Sequence, residues 1–168
     1  MMCSSPTPGK SNSGSTFAQQ RLAAPVVDTD GTLFVQPFTV HVTIPQGTVL
    51  KYTTDGTTPT LSNGMTSADG TFSIQKTTVL RFCLFADGYL PSPVVTRSYI
   101  YRNHDYYLPV ISVVTNPDNL YDDTIGVYTK GTNGRVGNGQ SSACNWNMDW
   151  ERPVNVEYME PVSTDGSI

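Results

Sequence analysis

Four aromatic residues in the second half of the sequence could bind a ligand by stacking. Tyr106 and Tyr107 are adjacent, and Trp146 and Trp150 follow within one short segment. Their rings combine a large apolar surface with a polar group, which suits the face of a sugar ring. We therefore treat these four residues as candidate carbohydrate-binding residues. The alternative, which is commoner for such side chains, is that they belong to a core or to an interface.

The polar residues do not form a recognisable catalytic site. His104 and Asp105 are a hydrogen-bonding pair, but no Ser or Cys nucleophile motif accompanies them. Asp118, Asp122 and Asp123 could hold calcium, yet capping and compensation of a helix dipole explain Asp118 as well. We predict no catalytic residue, no metal site and no cofactor, and we expect that this chain is not an enzyme.

The three cysteines predict one buried thiol and one candidate lipid anchor. Cys3, Cys83 and Cys144 lack the spacing of metal ligands. Cys83 lies in an apolar stretch and is predicted to be a buried free thiol. Cys3 precedes a tail rich in Ser, Gly and Pro, which resembles the start of a mature bacterial lipoprotein. The alternative is that Cys3 is only part of a disordered segment.

Charge and hydropathy limit the partners. The net charge is −4, whereas a nucleic-acid-binding protein would need a basic face. No run of about 18 apolar residues is present, so a lipid on Cys3 is the only route to a membrane that we predict. We expect an extracellular or cell-surface location, with a glycan, a surface protein or the rest of a parent chain as partner.

The front of the chain has the pattern of a β-sandwich. Residues 1–23 are polar and predict a flexible tether. Residues 24–101 contain about seven short apolar stretches separated by turn residues, which is typical of an immunoglobulin-like or fibronectin type III-like sandwich. In residues 52–59, Tyr-Thr-Thr-Asp-Gly-Thr-Thr-Pro, a strand ends at an Asp-Gly turn and a Pro. We predict that this is the central strand. The polar residues 57–70 are predicted to cross between the two sheets.

These motifs also carry a family resemblance. The residues concerned are 31–34, 37, 52–60, 79–82 and 94–99. Together they resemble the chitobiase/β-hexosaminidase C-terminal-type domain, also called the fibronectin type III-associated domain. The resemblance covers about residues 25–101 and implies a non-catalytic sandwich module appended to secreted enzymes and surface proteins.

Residues 102–168 predict an incomplete α+β segment. An apolar strand over residues 106–115 is followed by Asn116 and Pro117, which favour a helix start. Residues 126–128 predict a short strand, and the Gly/Asn/Ser-rich residues 130–144 predict a weakly ordered loop. After a strand at 154–158, residues 164–166 predict a hairpin turn without a return strand. We therefore expect that the chain is part of something longer.

Two blocks of this rear segment, residues 108–121 and 150–158, resemble the opening of the spore coat protein H (CotH) kinase-like family. That resemblance covers about residues 106–168 and implies the truncated start of an atypical kinase. The family's ATP and metal residues lie further along, so none is carried over. The sequence thus predicts a non-catalytic accessory module used for spacing, anchoring or protein contact. The alternatives are a carbohydrate-binding module, and part of an atypical protein kinase whose catalytic residues lie beyond this chain.

Overall fold

A computed structural model describes the backbone of residues 2–3 and 17–18 and the whole of residues 20–161. The predicted hairpin turn at residues 164–166 lies outside the described residues, as does the side chain of the candidate lipid anchor Cys3. Within the described part of the chain, no helix is long and apolar enough to cross a membrane.

The structure consists mainly of short strands. In chain order they are β1 (Met2–Cys3), β2 (Phe17–Ala18), β3 (Thr32–Phe34), β4 (Phe38–His41), β5 (Val49–Thr53), β6 (Met65–Ser67), β7 (Thr71–Ile74), β8 (Thr78–Phe85), β9 (Val95–Tyr101), β10 (Val110–Val114) and β11 (Asn155–Met159). The helical elements are α1 (Asp118–Tyr121) and a 3₁₀ helix (Asn145–Asn147).

Strands β3 to β9 form a β-sandwich, which confirms the predicted fold class. One sheet has the order β3-β9-β8-β5-β6, and β4 pairs with β7 in the opposing layer. All neighbours are antiparallel except β3 and β9, which run parallel. The prediction that residues 52–59 belong to the central strand was wrong. They start in β5, which lies next to the edge strand β6, whereas β8 occupies the middle of the sheet.

The core lies between the two layers and is rich in aromatic rings. Its buried members are Phe34, Val40, Val42, Leu50, Phe72, Ile74, Leu80, Phe82, Leu84 and Tyr99. For the members in β8, the alternation of side chains explains why they are buried, because alternate residues of a strand point to opposite faces of the sheet. Leu80, Phe82 and Leu84 enter the core, while Cys83 lies on the other face as a buried free thiol, as predicted.

Two segments of the sandwich differ from their predicted roles. Residues 57–70 do not simply cross between sheets, because they contain the edge strand β6, which pairs with β5 in the same sheet. The end of the predicted tether also takes part in the fold. The Leu90 amide donates to Gln20 O at 3.0 Å, and the Leu22 amide donates to Leu90 O at 3.1 Å.

The rear segment is built on a two-stranded ribbon in which β10 pairs antiparallel with β11. The helix starts one residue later than predicted, at Asp118, with Pro117 as the residue that precedes it, and Asn116 Oδ1 accepts from the Asp118 amide at 3.3 Å. The predicted strand over residues 126–128 was wrong. Asp122 Oδ1 accepts from the amides of Thr124 and Ile125 at 2.8 and 3.0 Å, which turns the chain back onto α1.

Residues 130–144, which were predicted to be a weakly ordered loop, contact the side chains of two asparagines that follow them, Asn145 and Asn147. Asn145 is fully buried, and Asn147 is almost so. The Asn145 amide group donates to Asp123 O at 3.0 Å, and Asn147 donates to Arg135 O at 3.0 Å. Buried amides bonded to the backbone hold the loop where apolar packing is scarce.

Candidate functional site

The Asp-Gly turn after β5 is closed by its own side chains. Asp55 Oδ1 accepts from the Thr57 amide at 3.0 Å and from the Thr57 hydroxyl at 2.6 Å. The Thr53 hydroxyl in turn donates to Thr57 O at 2.6 Å. Gly56 has φ +83°, a backbone conformation that favours glycine. The polar side chains of this motif therefore stabilise the turn.

Arg81 of β8 stabilises the turn by a hydrogen bond to its backbone. Its Nη1 donates to Gly56 O at 2.7 Å, and its Nε donates to the Thr96 hydroxyl at 3.3 Å. The guanidinium is half-buried, and this desolvation lowers the pKa of Arg81. It nevertheless stays charged. Because the Arg81 guanidinium binds a backbone carbonyl, its role is structural. It attaches the Asp-Gly turn to β8, the middle strand of the sheet.

Asp55→Asn is expected to reduce the loss of stability in acid. The Thr57 hydroxyl, followed by the Thr57 amide, holds the pKa of Asp55 below its usual value. A carboxylate whose pKa is lower in the folded state than in the unfolded state stabilises the fold at pH values above its unfolded-state pKa. This stabilisation is lost as the pH falls through the folded-state pKa. Asn cannot titrate but keeps the acceptor oxygen. Chemical denaturation at about pH 5 and about pH 3 should therefore show a smaller change for Asp55→Asn than for the wild type.

Asp87→Asn is the control for this experiment, because Asp87 is an exposed carboxylate in the turn after β8. Its substitution is expected to leave the acid-induced change as in the wild type. Equal changes for the wild type and Asp55→Asn would contradict a stabilising role for the Asp55 carboxylate.

A cleft of about 680 Å³ opens beside this turn. One wall consists of residues 54–56, and a second of residues 76–79, at the end of the β7–β8 connection and the start of β8. The third wall runs from the end of β10 through the connection into α1, and its contributing residues are Val113, Val114, Thr115, Pro117, Leu120 and Tyr121. At the narrow end, a Cβ on Gly56 would lie 3.4 Å from Thr115 O. The cleft thus lies between the sandwich and the rear segment.

The ribbon meets the sandwich a short distance away along β9. The hydroxyls of Ser98 and Ser112 are 2.7 Å apart. The Glu157 carboxylate lies so close to Gly31 that a Cβ at that position would collide with it. The rear segment is therefore seated on the sandwich through polar contacts.

This combination of sandwich topology and Asp-Gly turn can be compared with known families. Residues 29–96 match the family model of the chitobiase/beta-hexosaminidase C-terminal domain. This matched domain runs from the turn before β3 into β9, and it contains the Asp55 turn and Arg81. The comparison supports an accessory-type module in the front part of the chain. No curated protein and no solved structure matches the chain.

The candidate carbohydrate-binding residues all lie outside the matched domain, and each has its own local surroundings. Tyr107 is 89% exposed, while Tyr106 packs against His104 with ring centroids 4.6 Å apart. The Trp146 indole donates to Gln140 Oε1 at 2.9 Å. Trp150 stacks with Arg152, whose guanidinium carbon lies 4.9 Å from the ring centre. Each ring thus has a local partner of its own or projects alone.

The remaining polar candidates are explained by local structure. His104 Nδ1 lies 2.6 Å from Asn103 Oδ1, and Asp105 pairs with Arg102 at 3.8 Å. Asp122 is engaged in its turn. Among residues that the structure describes, no group of three His, Cys, Asp or Glu side chains could hold a metal ion.

The cleft was not predicted from the sequence. Lys76 and Tyr121, which line it, were not candidates. The cleft residues come from three separate parts of the chain, so no local sequence pattern predicts that they lie together. The one signal of the cleft in the sequence was an aromatic residue, Tyr121, at the end of the predicted helical turn.

Proposed function

We propose that the chain supplies a non-catalytic accessory module to a larger extracellular or cell-surface protein. The match of residues 29–96 supports the module. The resemblance of residues 106–168 to the opening of the spore coat protein H kinase-like family supports a larger parent protein. Attachment to a membrane would come through a lipid on Cys3. Intact mass spectrometry of the cell-associated protein tests this attachment, and an unmodified Cys3 would contradict it.

The exposed face of the ribbon is the observation that carries this proposal. Ile111 pairs with Tyr158 and Val113 pairs with Val156 across the two strands. All four side chains are about 60% exposed, and they form one apolar face. A two-stranded ribbon is marginally stable by itself, and an exposed apolar patch commonly marks an interface. We propose that further polypeptide of the same protein covers this face.

The other face of the ribbon is directed toward the sandwich and carries two buried polar side chains. Asn155 Nδ2 and Glu157 Oε2 are buried, and neither has a hydrogen-bond partner within the described residues. In this arrangement the sandwich is a platform on which the rear segment is seated.

Ile111→Ser and Val156→Ser are expected to have different effects in two versions of the protein. In the 168-residue chain both side chains are exposed, so the free energy of unfolding should change by less than about 0.5 kcal/mol. In a version extended along its reading frame, both would be buried. The loss should then be about 2 kcal/mol or more for each substitution. Denaturant unfolding of both versions measures the difference.

Leu61→Ser provides the matched control, because Leu61 is 68% exposed in the connection between β5 and β6. Its effect should be small in both versions. Equally small effects of all three substitutions in the extended version, or a reading frame that stops at Ile168, would overturn the proposal. Magnesium-dependent ATP binding by the 168-residue chain would contradict its non-catalytic character and favour the phosphotransfer alternative.

Glycan binding is the second candidate function, and the cleft beside the Asp55 turn favours it. The cleft is of a size found for small-molecule sites, which occupy about 300–1,000 Å³. The four aromatic residues predicted from the sequence do not supply this site.

A further inference from the structure

The cleft is lined by threonine and aliphatic side chains together with one charge of each sign. Of its four threonines, Thr78 and Thr115 already donate their hydroxyls to Lys76 O and Pro153 O, so Thr54 and Thr77 keep a free donor. The aliphatic surface comes from Val79, Val113, Val114, Pro117 and Leu120. The charged residues are one carboxylate, Asp55, and one ammonium, Lys76, so their charges balance. A phosphate or nucleic-acid ligand would favour several cations.

Asp55, which lines the cleft, retains hydrogen-bonding capacity. Both of its hydrogen bonds with Thr57 fall on Oδ1. Its second oxygen, Oδ2, has no hydrogen bond from the described residues. An ionised carboxylate has about four lone-pair sites and therefore accepts further hydroxyl donors. Because the Thr57 bonds fix the carboxylate in place, a ligand that binds Oδ2 would not have to order this side chain.

Tyr121 supplies an exposed ring at the end of the cleft. Its side chain is 63% exposed. Tyr128 supports it edge to face, with ring centroids 6.3 Å apart. The backbone beneath both rings is fixed, since the Tyr121 amide donates to Pro117 O and the Tyr128 amide donates to Leu120 O, each at 2.9 Å. A supported, exposed aromatic ring beside hydroxyl and carboxylate groups is the combination that recognises a sugar.

We propose that the cleft binds a short segment of an uncharged polysaccharide. One sugar ring lies against Tyr121, and sugar hydroxyls donate to Asp55 Oδ2 and accept from the Lys76 ammonium. The apolar wall contacts the C–H groups of the adjoining sugar. This inference rests on the second candidate function. Its test is separate from that of the proposed contact through the ribbon, whose face is formed by Ile111, Tyr158, Val156 and Val113. Val113 belongs to both surfaces, because it also lines the cleft.

The experiment is retention of the 168-residue chain on insoluble cellulose, chitin and xylan, followed by titration with hexasaccharides of any polymer that retains it. Tyr121→Ala is expected to weaken binding about tenfold. Lys76→Ala should weaken it about threefold, because one exposed hydrogen bond is lost. Tyr107→Ala and Trp146→Ala are the matched controls, since both remove exposed aromatic residues outside the cleft. Their binding should equal that of the wild type.

Folding and ligand class can be separated within the same experiment. Tyr121 is exposed, so Tyr121→Ala should melt within a few degrees of the wild type. Binding that Trp146→Ala abolishes and Tyr121→Ala leaves intact would overturn the cleft assignment. Failure of all three polymers to retain the wild type would overturn glycan binding here. Neither result would affect the ribbon proposal, whose test measures stability rather than ligand binding.

Discussion

Replacing Phe82 with alanine is expected to lower the free energy of unfolding by about 3–5 kcal/mol. Phe82 is fully buried in β8, the middle strand of the larger sheet. It lies opposite Tyr52 on one side and Val95 on the other. Its ring also meets the ring of Phe72 from the opposing layer, with centroids 5.1 Å apart. The substitution therefore leaves a cavity at the point where three strands and both layers of the sandwich meet.

Thermal and denaturant unfolding would measure this loss, with an expected fall in melting temperature of roughly 10–20 °C. Phe82→Leu should cost less, because most of the volume is retained. Tyr107→Ala is the control, since it removes an aromatic ring of similar size from a side chain that is 89% exposed. A loss for Phe82→Ala as small as that of Tyr107→Ala would contradict the assignment of β8 to the centre of the core.

The importance of Phe82 was visible in the sequence because its cause is local. Side-chain direction alternates along a strand, so the run of residues 79–85 predicts that Leu80, Phe82 and Leu84 share one face. The Asp-Gly turn after β5 was equally predictable, since Asp55 and Gly56 determine it together with their immediate neighbours. Local alternation and turn chemistry were thus sufficient to predict the sandwich.

The order of the strands could not be predicted in this way. Placing β8 rather than β5 in the middle depends on pairing between residues far apart in sequence, such as Arg81 with Thr96. The parallel pairing of β3 with β9 is also non-local. The short edge strand β6 was missed because it is polar, and its conformation comes from pairing with β5.

The candidate site was harder to predict for the same reason. The four aromatic residues were selected by residue type, and residue type does not predict the local partners that the structure gives them. Trp146 instead bonds Gln140, and Trp150 stacks with Arg152. The cleft requires residues 54–56, residues 76–79 and the β10–α1 connection to meet. Their proximity follows from how the rear segment is seated on the sandwich, which no single stretch of sequence specifies.

Asn145→Ala is expected to destabilise residues 130–140 by about 2–4 kcal/mol, because it leaves two backbone groups without partners. Asn145 Oδ1 accepts from the Asn133 amide at 3.1 Å, and its Nδ2 donates to Asp123 O at 3.0 Å. Gly131, with φ +58°, packs so closely on the Asn145 side chain that a Cβ there would collide with it. One buried side chain thus joins two points of a segment whose composition predicts weak order, Gly131 and Asn133, to Asp123 before it.

Hydrogen exchange resolved by peptide is the suitable measurement, because the loss should be confined to this loop and should leave β8 protected. Asn133→Ala is the matched control, since Asn133 is exposed and contributes its backbone amide, which the substitution keeps. Faster exchange over residues 130–140 in Asn145→Ala alone is expected. Equal exchange in the two variants would mean that the buried amide does not hold the loop. The order of the Gly/Asn/Ser segment would then have to come from the Asn147 contacts with Arg135 and Gln140.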